Sequence, residues 1–167
     1  GGYIDTNGSS VGGGCAIISQ SSAGNMTIKI SGGTIYADYP ILYTSGGTLT
    51  ITGGTINCEG DTGITFYGNI TMSGGTINVS DGASWGYAIN VNDSSKFSMT
   101  GGTLSCGDSP CIYSYSKVQN SVSITGGNLT SNVTTISIDA YGYDNYGYPS
   151  TSSNTRVLYI NGSGVSI

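Results

Sequence analysis

A Gly-Gly pair between two short alternating runs returns five times in this 167-residue chain: IKISGGTI at 28–35, LTITGGTI at 49–56, ITMSGGTI at 70–77, FSMTGGTL at 97–104 and VSITGGNL at 122–129. The first glycines of the pairs stand 21, 21, 27 and 25 residues apart, the length of one solenoid coil. Apolar residues at every second position put one face of each run against a core and the other in water. Two degenerate copies extend the series, Gly1-Gly2-Tyr3-Ile4 and LYINGSGVSI at 158–167.

A third apolar segment follows each pair at a looser distance: AIIS at 16–19, PILY at 40–43, GITF at 63–66, AINV at 88–91 and CIYS at 111–114. Three short strands per coil, separated by turns, describe an all-β parallel β-helix of about six coils, spanning 1–167 as one domain. The pairs Gly32-Gly33, Gly53-Gly54, Gly74-Gly75, Gly101-Gly102 and Gly126-Gly127 supply the first corner, because glycine takes positive φ without a Cβ penalty. Alternation turns Ile28 and Ile30 inward on the first strand, Ile35 and Ala37 on the second and Ile17 and Ile41 on the third, each with its equivalents in later coils. Asn-Gly and Gly-Gly also make hairpin turns, so an antiparallel sandwich is the competing architecture. It gives no reason for the pair to return at one phase of the period. The longest departure is a Tyr-rich insertion at about 139–156, expected as a loop on one side.

Only 37% of the residues are hydrophobic, enough for a narrow core but not a broad one, and the β-branched periodicity argues against disorder. Nine acids face four bases, Lys29, Lys96, Lys117 and Arg156, for a net charge of −5. Bases so few and so scattered offer no track for a phosphate backbone, so nucleic acid is not an expected partner. No run approaches the roughly 18 apolar residues of a membrane span. Without histidine, neither a Ser-His-Asp nor a Cys-His arrangement can form, and no enzyme activity is expected. The sequence opens and closes in mid-coil. It reads either as a stretch of a longer surface protein or as a subunit whose open ends stack on other copies.

Candidate sites lie on the outward positions. Thr27, Lys29, Ser31, Thr48, Thr50, Thr52, Thr71, Ser73, Lys96, Ser98, Thr100, Ser121, Ser123 and Thr125 form a hydroxyl array on the first strand, interrupted by the two lysines. The array resembles that of β-solenoid ice-binding proteins, although high strand propensity explains Thr and Ser as well. Acids recur after the second strand as Asp38, Glu59, Asp61, Asp81 and Asp108, where neighbouring coils could share a Ca²⁺, or where Asp simply makes turns. Among the thirteen tyrosines, Tyr43, Tyr67, Tyr113 and Tyr115 and the cluster Tyr141, Tyr143, Tyr146 and Tyr148 are candidates for stacking on sugars, for assembly contacts or for packing against the wall. Cys106 and Cys111 flank the turn GDSP and are a candidate disulfide, whereas Cys58 reads as a core filler. Asn7, Asn25, Asn69, Asn92 and Asn132 head Asn-x-Ser/Thr triplets open to glycosylation on an exported chain.

The coil plan resembles the right-handed β-helix of the pectate-lyase-like superfamily, which includes polysaccharide lyases, glycoside hydrolases, surface adhesins and phage tail proteins. Lyases of that superfamily use calcium-binding acids and a basic residue on one wall, and this chain has no matching stack of bases. The repeated Gly-Gly-Thr-Ile unit, carried across nearly the whole chain, is more similar to repeats of bacterial cell-surface adhesin-like and carbohydrate-binding β-helix proteins. That resemblance implies an extracellular or surface location and a structural or adhesive task, self-associating end to end or joining neighbouring domains. A carbohydrate-binding module taking polysaccharide is the alternative, and ice binding a further one. The repeated residues are those the coil itself needs, so they specify fold and not activity.

Overall fold

The computed structural model describes residues 2–5, 14–18, 26–60, 62–80, 86–92, 95–116, 121–133, 135–138, 142–143, 149–150, 158–160 and 165–166. Every alternating run is a strand: β1 (Tyr3–Asp5), β2 (Cys15–Ile18), β3 (Met26–Ala37), β4 (Tyr39–Cys58), β5 (Thr62–Val79), β6 (Tyr87–Val91), β7 (Lys96–Met99), β8 (Thr103–Cys106), β9 (Ile112–Ser114), β10 (Val122–Ile124), β11 (Gly127–Ser131), β12 (Ile136–Ile138), β13 (Gly142–Tyr143), β14 (Pro149–Ser150), β15 (Leu158–Ile160) and β16 (Val165–Ser166). The first twelve together with β15 and β16 form one sheet that winds around the molecule, and all of its pairings are parallel. The chain is therefore a parallel β-solenoid, and the antiparallel sandwich is excluded.

Three faces follow from the register. The first strand of each coil stacks through β3, β4, β5, β7, β10 and β15. The second stacks through β1, the far part of β3, β4 and β5, then β8, β11 and β16. The third runs through β2, the opening parts of β4 and β5, then β6, β9 and β12. Thus β4 and β5 are long elements that bend at corners, and each serves all three faces. The Tyr-rich insertion is not wholly irregular, since β13 and β14 pair antiparallel within it, Gly142 with Ser150 and Tyr143 with Pro149.

The two glycines of a corner have different reasons to be glycine. Gly54 sits at φ 92°, a left-handed conformation in which a Cβ is strained. Gly53 has no such φ, but a Cβ there would stand 2.8 Å from the carbonyl oxygen of Ser31 in the preceding coil. One glycine turns the chain and the other lets two coils approach. The same division recurs at the later pairs, with Gly75, Gly102 and Gly127 at positive φ and Gly74, Gly101 and Gly126 against a carbonyl of the coil before. The expectation of positive φ for the whole pair therefore holds for its second member only. Another glycine corner, the third of the coil and absent from the sequence-based reading, joins the third strand to the first: a Cβ on Gly47 would lie 2.1 Å from Met26 O, and one on Gly68 would lie 2.4 Å from Gly47 O.

Like residues stack along the core. Leu49, Ile70, Phe97 and Val122 make one buried file and Ile51, Met72, Met99 and Ile124 the next, in continuous register. On the second face Ile35, Ile56, Ile77, Leu104 and Leu129 align, beside Ala37, Cys58, Val79 and Cys106. Ile41, Ile64, Ile89 and Ile112 fill the third, flanked by the file Phe66, Val91 and Ser114. Each buried Val, Leu, Ile, Phe or Met in these files contributes about 1.5–3 kcal/mol by leaving water. Ile17, Ile28 and Ile136 pack against this core half-buried.

Candidate functional site

Because the core files use the inward positions, the outward files are what a partner would meet. On the second face the position after each glycine pair aligns as Thr34, Thr55, Thr76, Thr103 and Asn128. Two residues further along, Tyr36, Asn57, Asn78, Ser105 and Thr130 stand in register across five coils. Asn78 Nδ2 donates to Asn57 Oδ1 at 2.8 Å, one coil step away, and Tyr36 donates its hydroxyl proton to Glu59. Beside this file the chain turns away at the second corner and leaves a trough. One hollow of about 330 Å³ is lined by Tyr36, Asn57, Glu59, Asn78, Ser80 and Ser105. A second, of about 470 Å³, continues from the shared Ser80 and Ser105 to Thr130, Ser131 and Asn132. Outward positions of the second strand were not singled out in the sequence, although TIN at 55–57 and 76–78 carries the signal.

The first-strand hydroxyl array is present but irregular. Lys29, Thr50, Thr71, Ser98 and Ser123 align outward, and Thr71 donates to Thr50 Oγ1 at 3.3 Å. Ser121 leaves the array: it is buried, with its hydroxyl 3.3 Å from that of Ser114. Ser121 precedes β10 at the third corner, where Asn92, Ser95, Ser114 and Ser116 are buried as well. Ser95 holds that corner together by donating to Phe66 O while accepting from Gly68 N.

The described acids, Asp38, Glu59 and Asp108, each have a separate partner. Asp38 accepts from Gly14 N at 3.2 Å, Glu59 from Tyr36, and Asp108 from Asn132 Nδ2 at 3.2 Å. Among the described residues, no three side chains of His, Cys, Asp or Glu are grouped as a metal would require. Asp61 and Asp81 lie outside the described residues. Tyr113 does join a cluster, stacking on Tyr87 with centroids 4.6 Å apart and 14° between planes, and meeting Tyr115 at 5.8 Å. Tyr87, Tyr113, Tyr115 and Tyr67 are all half-buried, and burial raises the Tyr87 phenol above its ordinary pKa. Tyr141, Tyr146 and Tyr148 lie outside the described residues, and Tyr43 and Tyr143 are placed on strands by their backbone alone.

Cys106 and Cys111 are neighbours as expected, but as free thiols joined by a hydrogen bond and not as a disulfide. That hydrogen bond, with burial, holds the Cys106 thiol far above the ordinary thiol range. Cys58 is a buried filler two coils from Cys106, with Val79 between them in register. Half-buried Cys15 is also raised, by burial and then by the nearby Asp38 charge.

Asn69 is exposed on the first face and Asn132 is exposed beside Asp108. Asn92 corrects the sequence-based reading, because it is 1% exposed and cannot carry a glycan in the folded chain. Asn7 and Asn25 lie outside the described residues. No described helix is long and apolar enough to cross a membrane. Compared with known proteins, the chain matches no protein-family model, no curated protein and no solved structure.

Proposed function

We propose that this chain is a structural and adhesive element outside the cell, a stiff β-solenoid that spaces or assembles surface material and has no catalytic step of its own. The observation that carries this reading is the parallel register of its core files, in which the coils from β3 to β12 are braced one by the next along three faces. A stack of that kind resists bending because any bend must break ladder hydrogen bonds and open a close-packed column. A second observation supports assembly. Ile4, Ile17, Ile28, Ile30 and Ile35, together with Lys29, Ser31 and Thr34, line a mainly apolar hollow of about 260 Å³ at the coil that holds β1, where Ile4 is 43% exposed and its neighbour Tyr3 66%. Such a face suits a further coil, from a second copy or from a neighbouring segment of a longer chain.

Electron microscopy of native material, with intact mass and gold-labelled antibody on the same cells, tests the reading. Rods or fibres labelled at the cell surface are the expected result. Compact particles with label confined to the cell interior would overturn it.

A further inference from the structure

We propose that Cys106 and Cys111 are an oxidation site: a hydroperoxide entering the trough of the second face closes them into a disulfide, which fastens the turn between β8 and β9 and which a reducing thiol reopens. The inference goes beyond the structural reading above and stands independently of it. Cys106 ends β8 and Cys111 stands one residue before β9, with only 107–110 between them, and both are free thiols. The Cys111 thiol points back across the turn, donating to Leu104 O at 3.7 Å and to Thr130 O at 3.1 Å. Leu104 lies two positions before Cys106 on the same buried face, and Thr130 precedes Ser131, the register partner of Cys106. The Cys111 sulfur is thus enclosed beside Cys106, and the two thiols are hydrogen-bonded to each other. Sulfurs in that contact need little backbone movement to bond. Cys58 stands two coil steps from Cys106, roughly 10 Å away and beyond disulfide reach.

The trough gives the oxidant its way in. Cys106 lines the larger hollow and is 5% exposed, whereas Cys111 behind it is sealed. A peroxide is little larger than water and reaches the pair where a bulkier reagent is kept out. The shared hydrogen bond lowers Cys111 and raises Cys106, so Cys111 ionises first. Its thiolate attacks one peroxide oxygen, the O–O bond breaks, and Cys111 becomes a sulfenic acid as the other oxygen leaves and is protonated. The Cys106 sulfur then attacks the sulfenic sulfur, the S–O bond breaks, and a second water leaves with the Cys106 proton. With hydrogen peroxide, two thiols and one oxidant give one disulfide and two waters, and two electrons pass from sulfur to oxygen. Thiol–disulfide exchange with a small dithiol reverses the step.

The bond would act on the junction between coils. The turn it closes docks the following coil: Gly107 O accepts from Asn132 N at 3.0 Å, Ser109 O from Ser131 Oγ at 2.8 Å and Asp108 from Asn132 Nδ2. Fixing both ends of 107–110 holds these acceptors in place, and it restricts the unfolded chain as well.

Peptide mapping of the full chain tests this. The reduced, folded protein is treated with hydrogen peroxide, cleared of it with catalase, alkylated with iodoacetamide in urea and digested with trypsin. Both cysteines fall on the peptide between Lys96 and Lys117, and half-buried Cys15 reports that peroxide was delivered. That peptide should change from doubly alkylated to unalkylated and two hydrogens lighter, and dithiothreitol should restore it, while Cys58 stays alkylated throughout. The oxidised protein should melt roughly 4–8 °C above the reduced one. Cys106→Ala and Cys111→Ala should each abolish the rise, and if neither variant folds the wild-type comparison decides. Alkylation of both Cys106 and Cys111 after Cys15 has been oxidised, sulfinic acid on either in place of the link, or a linked chain that melts no higher than the reduced one overturns the proposal.

Discussion

A Cβ placed on Gly74 would stand 2.6 Å from the carbonyl oxygen of Thr52, a distance that real side chains do not occupy. Thr52 is the residue just before the glycine pair of the preceding coil, so the contact measures how closely the coils nest at the first corner. Gly74→Ala should therefore lower stability by about 1–3 kcal/mol through forced backbone movement. Gly32→Ala is the internal control: among the described residues nothing lies within 4 Å of its Cβ position and its φ is not left-handed, so it should melt within a degree or two of the wild type. Equal losses at both positions would contradict the close-approach argument. Thermal unfolding followed by circular dichroism makes the comparison.

Ile77 is completely buried in the second-face file, between Ile56 and Leu104. Ile77→Ala should cost about 2–5 kcal/mol, and Ile77→Asp should prevent folding, since an unpaired carboxylate would sit in a dry column. Urea unfolding of the first and the far-ultraviolet spectrum of the second are the readouts. A wild-type midpoint for Ile77→Ala would show that the facing of the second strand is wrong.

Cys106 titrates higher in the folded chain than in the unfolded one, because of its hydrogen bond to Cys111 and its burial. Its contribution to stability is complete below the unfolded thiol pKa of about 8.5 and is lost as pH rises above it, by roughly 1.4 kcal/mol per pH unit. Tyr87, raised by burial, has the same sign above about pH 10. Cys15, raised by burial and by the Asp38 charge, has the same sign, whereas Cys111, lowered by its hydrogen bond with Cys106, has the opposite one. The urea midpoint should fall from about pH 8.5 toward pH 10, and Cys106→Ala should lessen the fall. Iodoacetamide on the native protein at pH 8 should leave Cys58, Cys106 and Cys111 unmodified, and all four cysteines should react in urea.

Asn69 and Asn92 head similar triplets, yet one is exposed and the other sealed in the third corner. Expressed through a glycosylating secretory route, the folded protein should carry glycan at Asn69 and none at Asn92. Peptide mapping by mass spectrometry distinguishes them, and occupancy at Asn92 would mean that this corner opens.

The core was legible in the sequence because period-2 alternation at a constant phase from a Gly-Gly pair leaves one consistent facing, and Leu49, Ile70 and Ile77 all take it. The separate duties of Gly53 and Gly54 were not, since close approach is a property of two coils and not of one segment. Gly47 and Gly68 were missed for another reason: later coils do not repeat the glycine, and Ser95 closes that corner with hydrogen bonds. The same buried polar corner takes in Ser121 and Asn92, whose local motifs read as outward. The trough could not be read at all without register, because Tyr36, Asn57, Asn78, Ser105 and Thr130 become neighbours only when coils of unequal length are aligned.

The central claim is that equivalent residues of successive repeats stack one strand apart. Spin labels at Lys29 and Ser123, four steps apart on the first outward file, measure it directly, with Lys29 and Ser98 as the three-step reference in a background where Cys15 is replaced by Ser. The account predicts separations of about 19 and 14 Å before label length, differing by one strand spacing. Distances that do not increase by one spacing per repeat would contradict the stack.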